Sequence, residues 1–202
     1  MLKIGILGSG KGSNFEAILK AVQEKKLEAQ ICVVLSDCST APILEKASRA
    51  LIPHHYIEPG KYRTFLETQI EEKYVQTLRQ YGVEWIVLAG FMRVLKTGFF
   101  SAYRGKIINI HPSLLPAFKG LEAWRQALEY GAKVAGCTVH FVDESIDTGP
   151  IILQDCVPVL DNDTEESLHQ RIQVLEHKLY PEALQMIASG KIRIEGRRIK
   201  TG

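Results

Sequence analysis

The chain has little of what would make it a metal, disulfide or membrane protein. Its 4 cysteines, Cys32, Cys38, Cys137 and Cys156, are scattered, with no C-x-x-C pair. That excludes a disulfide frame and a thiolate zinc site. Cys32, Cys137 and Cys156 fall in strand-like apolar runs and read as small buried residues in a reducing compartment. The histidines show no H-E-x-x-H, and His54 and His55 are simply adjacent, so no metal is expected. No Gly-Lys-Ser/Thr closes the N-terminal glycine loop, so it is not a Walker A site. No Gly-x-Ser-x-Gly surrounds Ser113, which removes the hydrolase elbow. The formal net charge is +2 and is spread along the chain, which gives no reason to expect nucleic acid or an anionic membrane as partner. No apolar run is long enough to cross a bilayer, and the N-terminus lacks a signal-peptide pattern. The expectation is a cytoplasmic enzyme acting on small molecules, with a homodimer left open. No repeat, low-complexity segment or linker interrupts the chain, so residues 1–202 read as one domain, with a nucleotide-type half to about residue 105 and a catalytic half from about residue 106.

What is present centres on Lys106 to Gly120, KIINIHPSLLPAFKG. It opens as a short strand, Lys106 to Ile110, whose β-branched isoleucines favour a strand over a buried helix. Asn109 and His111 stand at its end, and Pro112 and Pro116 stiffen the loop behind them. Residues two apart on a strand share a face, so both side chains can reach one substrate. An amide can stabilise an oxyanion and an imidazole can move protons, the two needs of acyl transfer. The same residues would also serve as a buried polar clamp on a proline loop.

Around this stretch the chain alternates strands and helices. Leu2 to Leu7 is an apolar strand that runs into Gly8-Ser9-Gly10-Lys11-Gly12-Ser13-Asn14 and a helix from about Phe15. Strand, glycine turn and helix present backbone N–H groups to an anion. Ser13 stands where a dinucleotide fingerprint needs its third glycine, and Asp37 is only a weak ribose-binding acid, so a monophosphate site is favoured. Strands follow at Gln30–Leu35, Pro53–Ile57 and Glu84–Ala89, with helices at Ala41–Ala50 and, long and amphipathic, at Tyr62–Tyr81. This predicts an α/β fold: a doubly wound, mostly parallel sheet flanked by helices, with ligands beyond the carboxyl ends of the strands. Met92, Arg93, Val94 and Leu95 follow the fourth strand and suit the wall of a pocket for a flat ligand, or equally a helix start packed on the sheet. Val134–Val142, carrying Thr138 and His140 on one face, and Ile151–Val159 read as antiparallel strands joined by an acidic loop from Asp143 to Pro150. By spacing alone Asp147 in that loop is a solvated turn residue. The last helix starts at a capping Asp163 or Thr164, runs to about Ser189 through Pro181, and carries Glu176 and His177, which read as surface residues or as internally satisfied ones; a basic terminal hairpin follows.

Four segments, GSGKGSNFEAI, LAGFMRVL, NIHPSLLPAFKG and GCTVHFVDESIDTGPII, together resemble the folate-dependent phosphoribosylglycinamide formyltransferases, over essentially the whole length. The resemblance implies formyl transfer from 10-formyltetrahydrofolate, without metal, to the amine of glycinamide ribonucleotide. It puts a catalytic trio on Asn109, His111 and Asp147, with Asn109 holding the oxyanion, His111 as acid and base, and Asp147 orienting His111. It assigns the substrate phosphate to Gly12, Ser13 and Asn14 and the ribose to Glu176. The folate falls along Met92, Arg93, Val94 and Leu95, with Asp143 and, more loosely, Arg63; Thr138 and His140 support the trio from behind. Two positions depart from the family pattern: Lys119 stands where some members have Pro, and Glu122 where some have His. A formyl-folate hydrolase, a formyltransferase for another amine and a non-catalytic nucleotide module are the competing readings.

Overall fold

The computed structural model describes residues 1–201. Among the described residues nine strands and six helices follow in the order β1 (Leu2–Leu7), α1 (Ser13–Gln23), β2 (Ala29–Ser36), α2 (Pro42–Arg49), β3 (His54–Tyr56), α3 (Thr68–Gln80), β4 (Trp85–Leu88), α4 (Thr97–Ala102), β5 (Ile107–His111), α5 (Ala123–Tyr130), β6 (Val134–Phe141), β7 (Ile151–Pro158), α6 (Glu165–Ala188), β8 (Ile192–Glu195) and β9 (Arg198–Thr201). The first seven strands form one sheet in the order β3-β2-β1-β4-β5-β6-β7. Neighbours from β3 through to β5 are parallel, and β6 and β7 are antiparallel additions. The expected α/β architecture is therefore the observed one. β8 and β9 pair separately as the terminal hairpin.

Each central strand buries both faces, as a parallel sheet between helix layers requires. Ile4, Ile6, Val34, Val87, Ile108 and Ile110 pack in one core with Phe15 of α1 and Leu168, Ile172 and Tyr180 of α6. Val33, Leu35, Ile86, Leu88 and Ile107 pack in the other with Tyr74 of α3 and Phe99 of α4. Tyr180 ties the first layer to the sheet, its buried hydroxyl lying 2.8 Å from the Leu88 carbonyl and 3.2 Å from that of Ile108. At the start of α6, Thr164 Oγ1 accepts from the Ser167 N–H at 3.1 Å while Ser167 Oγ accepts from the Thr164 N–H at 3.0 Å, a reciprocal cap. The helix then continues through Pro181.

Two local expectations are corrected. The helix expected from Tyr62 begins at Thr68. Residues 62–66 are instead recruited by tertiary contact: Phe65 bridges to Val94, the Val94 N–H donates to the Thr64 carbonyl at 2.8 Å, and Tyr62 stacks on Phe65. Cys156 is exposed rather than buried, because β7 is an edge strand and alternate side chains face outwards; Cys32 and Cys137 are buried as expected.

Candidate active site

The sheet order reverses direction beside β1, and the loops after β1 and β4 meet there. The Ser9 N–H donates to the Gly90 carbonyl at 3.0 Å, and the Met92 N–H donates to Ser9 Oγ at 2.9 Å. β5 ends beside this crevice, where open α/β sheets bind ligands.

On β5, Ile108 and Ile110 face α6, which turns Asn109 and His111 to the other side. The antiparallel register sets Asn109 opposite His140 and His111 opposite Thr138. His140 is buried and its Nδ1 lies 2.8 Å from the Phe141 carbonyl. A carbonyl can only accept, so Nδ1 carries the proton and Nε2 offers a lone pair. That lone pair accepts from Asn109 Nδ2 at 3.4 Å. Burial pushes the His140 pKa down, which keeps the ring neutral and able to accept. His140 thus fixes which way the Asn109 amide points and leaves its second N–H free.

Asp147 arrives from the β6–β7 loop. Its Oδ2 lies 3.4 Å from His111 Nδ1, its Oδ1 lies 3.7 Å from His140 Nε2, and Oδ2 also accepts from the Gly120 N–H at 2.9 Å. His111 Nε2 lies 2.9 Å from the Phe118 carbonyl. His111 is buried between these two acceptors, one facing each ring nitrogen. Asp147 and Phe118 hold left-handed backbone, φ 51° and 49°, and the Leu115–Pro116 bond is cis. The structure therefore brings Asn109, His111 and Asp147 together, with His140 as the fourth member.

Thr138 works behind them. Its hydroxyl donates to the Ser113 carbonyl at 2.7 Å and accepts from the Leu115 N–H at 3.1 Å and from Gln154 Nε2 at 2.9 Å. Gln154 also donates to the Leu115 carbonyl at 2.9 Å. This uses the hydroxyl's whole donor and acceptor capacity to pin the loop that follows His111. Gln154 has no distinct sequence signal, being one of two adjacent polar residues, with Asp155, on β7. Thr138→Val keeps the shape but strands the Leu115 N–H and the Ser113 carbonyl, so a loss of about 3 kcal/mol is expected in urea unfolding.

The phosphate-type loop ends in Gly12, which must be glycine on two counts: its φ is +73°, and a Cβ there would lie 2.9 Å from Ile43. No side chain caps α1, so the N–H groups at its start have no side-chain acceptor. Asn14 turns inward, where its Nδ2 donates to Glu176 Oε2 at 3.0 Å while its Oδ1 is buried without a partner. Glu176 is buried and hydrogen-bonded by Asn14, the second of its two readings from sequence. The signal was available: Leu168, Ile172, Glu176 and Tyr180 are spaced by four along one buried stripe of α6. Burial raises the Glu176 pKa from 4.5 to about 7, and the Asn14 hydrogen bond opposes the rise. A carboxyl raised on folding stabilises most below its unfolded pKa, and that contribution is lost as pH rises through 7. Glu176→Gln should therefore gain stability relative to the wild type between pH 5 and pH 8, by at most about 3 kcal/mol, as read from urea midpoints across that range.

The remaining candidates divide. Met92 and Val94 expose apolar side chains beside the crevice, whereas Leu95 is core. Arg93 is turned aside: its Nε donates to Asp37 Oδ2 at 2.6 Å and its Nη1 to the Tyr62 carbonyl at 2.5 Å. The same pair takes Asp37 Oδ2, while Asp37 Oδ1 is buried without a partner. Asp143 accepts from Thr148 Oγ1 at 2.6 Å and from the Ser145 N–H at 3.2 Å, which closes its own loop. Arg63 is exposed, next to the Thr64 that bonds Val94. Lys119 is exposed and touches its neighbours through its carbonyl, and Glu122 pairs with Arg125, so neither departure from the family pattern meets the buried trio.

Residues 2–184 match the family model described as formyl transferase. The phosphoribosylglycinamide formyltransferase of Bacillus subtilis (strain 168) is 44% identical over 93% of this chain and 95% of its own. The human trifunctional purine biosynthetic protein adenosine-3 is 43% identical over 95% of this chain, which spans only 19% of that longer protein. Glycinamide ribonucleotide transformylase 1 from Symbiobacterium toebii superposes with a TM-score of 0.95 at 48% identity, covering 100% of this chain and 94% of its own. Sequence, sheet order and full-length superposition agree, and the chain belongs to the formyl transferase family.

Proposed function

We propose that the protein transfers a formyl group from 10-formyltetrahydrofolate to the amine of N1-(5-phosphoribosyl)glycinamide, giving formylglycinamide ribonucleotide and tetrahydrofolate in de novo purine biosynthesis. The observation that carries this reading is the buried set of Asn109, His111, His140 and Asp147 at the end of β5, lying across the crevice from an uncapped helix start. Residues 1–202 act in it as one catalytic unit, which the continuous pairing of β4 with β5 supports.

The phosphate sits on the N–H groups of Gly12, Ser13 and Asn14, which an anion satisfies. Glu176 accepts from the ribose hydroxyls, and the orphaned Asn14 Oδ1 accepts a further ligand donor. Met92 and Val94 lie against the folate ring, with the Asp143–Asp147 loop across it and Arg63 at the open end. The amine nitrogen attacks the formyl carbon, and the carbonyl becomes an oxyanion. Asn109 gives that oxygen its free amide N–H. His111 gives it the hydrogen bond that the Phe118 carbonyl now receives. Asp147 stabilises the cationic ring during this step. The cationic amine then gives its proton to water, the carbonyl re-forms as the bond to folate N10 breaks, and His111 hands its proton to the leaving N10 and regains one from solvent. Interactions that strengthen as charge develops on oxygen raise turnover rather than binding.

The test is release of tetrahydrofolate from 10-formyltetrahydrofolate with and without glycinamide ribonucleotide. Amine-dependent release is expected. Release at the same rate without the amine would replace transfer by hydrolysis.

A further inference from the structure

His169, Gln173 and Glu176 follow one another along α6 at spacings of four and three, so they share one stripe of the helix. At one end of the stripe Glu176 holds Asn14 at 3.0 Å. At the other, His169 lies flat against Trp124 of α5, with ring centroids 3.7 Å apart and planes 3° apart. There it feels the charge of Lys11. Lys11 and Asn14 bracket Gly12 and Ser13, so the opening of the anion cradle runs along the α6 stripe, with His169 roughly 10 Å up the helix from Glu176. The formyl-transfer chemistry makes no use of Lys11, Trp124 or His169.

A stacked imidazole cannot swing away, and it presents its nitrogens edge-on. Among the described residues the ring of His169 makes no hydrogen bond, although it is half-buried. The charges around it are mostly spoken for. Arg125, next to Trp124, is taken by Glu122 and Glu165 at 2.8 Å each. On α6, Arg171 pairs with Asp163, Gln170 bonds Glu166, and Glu176 is bonded to Asn14. Lys11, from the β1–α1 loop, is the charge that reaches the ring from another element.

We infer that Lys11 and His169, the latter held by Trp124, form an outer wall of the phosphate cradle, and that His169 takes up a proton when a phosphomonoester dianion binds. This rests on the phosphate reading above. Burial, and then Lys11, hold the His169 pKa below its ordinary value, so without ligand the ring is neutral at pH 7. A dianion placed beside both groups offsets the Lys11 charge and favours the imidazolium, with the proton drawn from solvent. Binding should then tighten as pH falls from 8 to 7, which selects a doubly charged phosphate over uncharged ribosides.

The test uses the full chain labelled with 15N in its histidines. The His169 signal is assigned by its loss in His169→Asn, and glycinamide ribonucleotide is titrated in at pH 7.5. The expected result is a neutral His169 in the free protein that becomes cationic at saturation. Binding by His169→Asn, measured calorimetrically in two buffers, should weaken roughly three- to tenfold, with less proton uptake than the wild type. A His169 that stays neutral while the wild type binds, together with unchanged affinity in His169→Asn, would overturn the inference and leave the phosphate site standing. Failure of the wild type to bind the ribonucleotide would overturn both.

Discussion

Asn109→Ala is expected to lower kcat roughly a hundred- to a thousandfold, the usual loss of one oxyanion donor, while the KM values for both substrates move only a few-fold. The split follows from where the amide is held. Asn109 Nδ2 is tethered at 3.4 Å to His140, whose own proton is committed to the Phe141 carbonyl at 2.8 Å. The remaining N–H is aimed before any substrate arrives. A donor of that kind gains strength only when the formyl oxygen becomes charged, so its removal raises the barrier without unseating the ground state. His111→Ala should be of similar size, because it removes the second donor and leaves Asp147 without its imidazole partner at 3.4 Å. The double variant should fall far short of the product of the two losses, since residues acting as a unit are not additive. Steady-state kinetics of the three variants decide it. Turnover within tenfold of the wild type in Asn109→Ala would remove the oxyanion role.

The fold and the two strand residues were legible because both rest on local rules. Buried β-branched runs between amphipathic helices specify a parallel sheet, and a two-residue spacing on a strand puts Asn109 and His111 on one face. The rest of the site is built from contacts that have no local signature. Asp147 looked like a solvated turn residue by spacing, because its reach depends on the antiparallel return of β7 and on its left-handed φ of 51°. Arg93 and Asp37 meet across 56 positions, and neither sequence neighbourhood announces the other. The extended run ahead of α3 looked helical by period but is claimed by the loop at Val94, a case of tertiary pairing overriding propensity. The sequence leaves Glu176 open between surface and satisfied interior although it stands on a buried stripe, because a carboxylate on such a face is rare. Such departures from local expectation gather at sites, where a chain accepts a buried charge or a strained φ for the sake of its chemistry.

Gly149→Ala should be strongly damaging although the residue lies away from the reacting groups. A Cβ on Gly149 would lie 1.8 Å from the Phe141 carbonyl oxygen and 2.7 Å from its carbon. Both are backbone atoms, so no side chain can turn aside, and the two chain segments must separate by roughly an ångström. They are joined at this point by the bond from the Phe141 N–H to the Pro150 carbonyl at 2.9 Å, which closes the base of the β6–β7 loop. The expected cost is about 2–4 kcal/mol of stability, in line with overpacking plus a weakened ladder bond. The effect on turnover should be larger than that loss alone explains. Asp147 stands two residues upstream, and its distances of 3.4 Å to His111, 3.7 Å to His140 and 2.9 Å to the Gly120 N–H all depend on where the loop is anchored. A displacement of about an ångström in a positioned group can lower rate roughly a hundredfold. The two effects separate by temperature. At 15 °C, where circular dichroism reports the variant folded, kcat should still be down by about two orders of magnitude, whereas a purely destabilising change would restore it there. Recovery of near wild-type turnover in the folded variant would mean that Asp147 does not need its placement, and with it the orienting role of that carboxylate would fall.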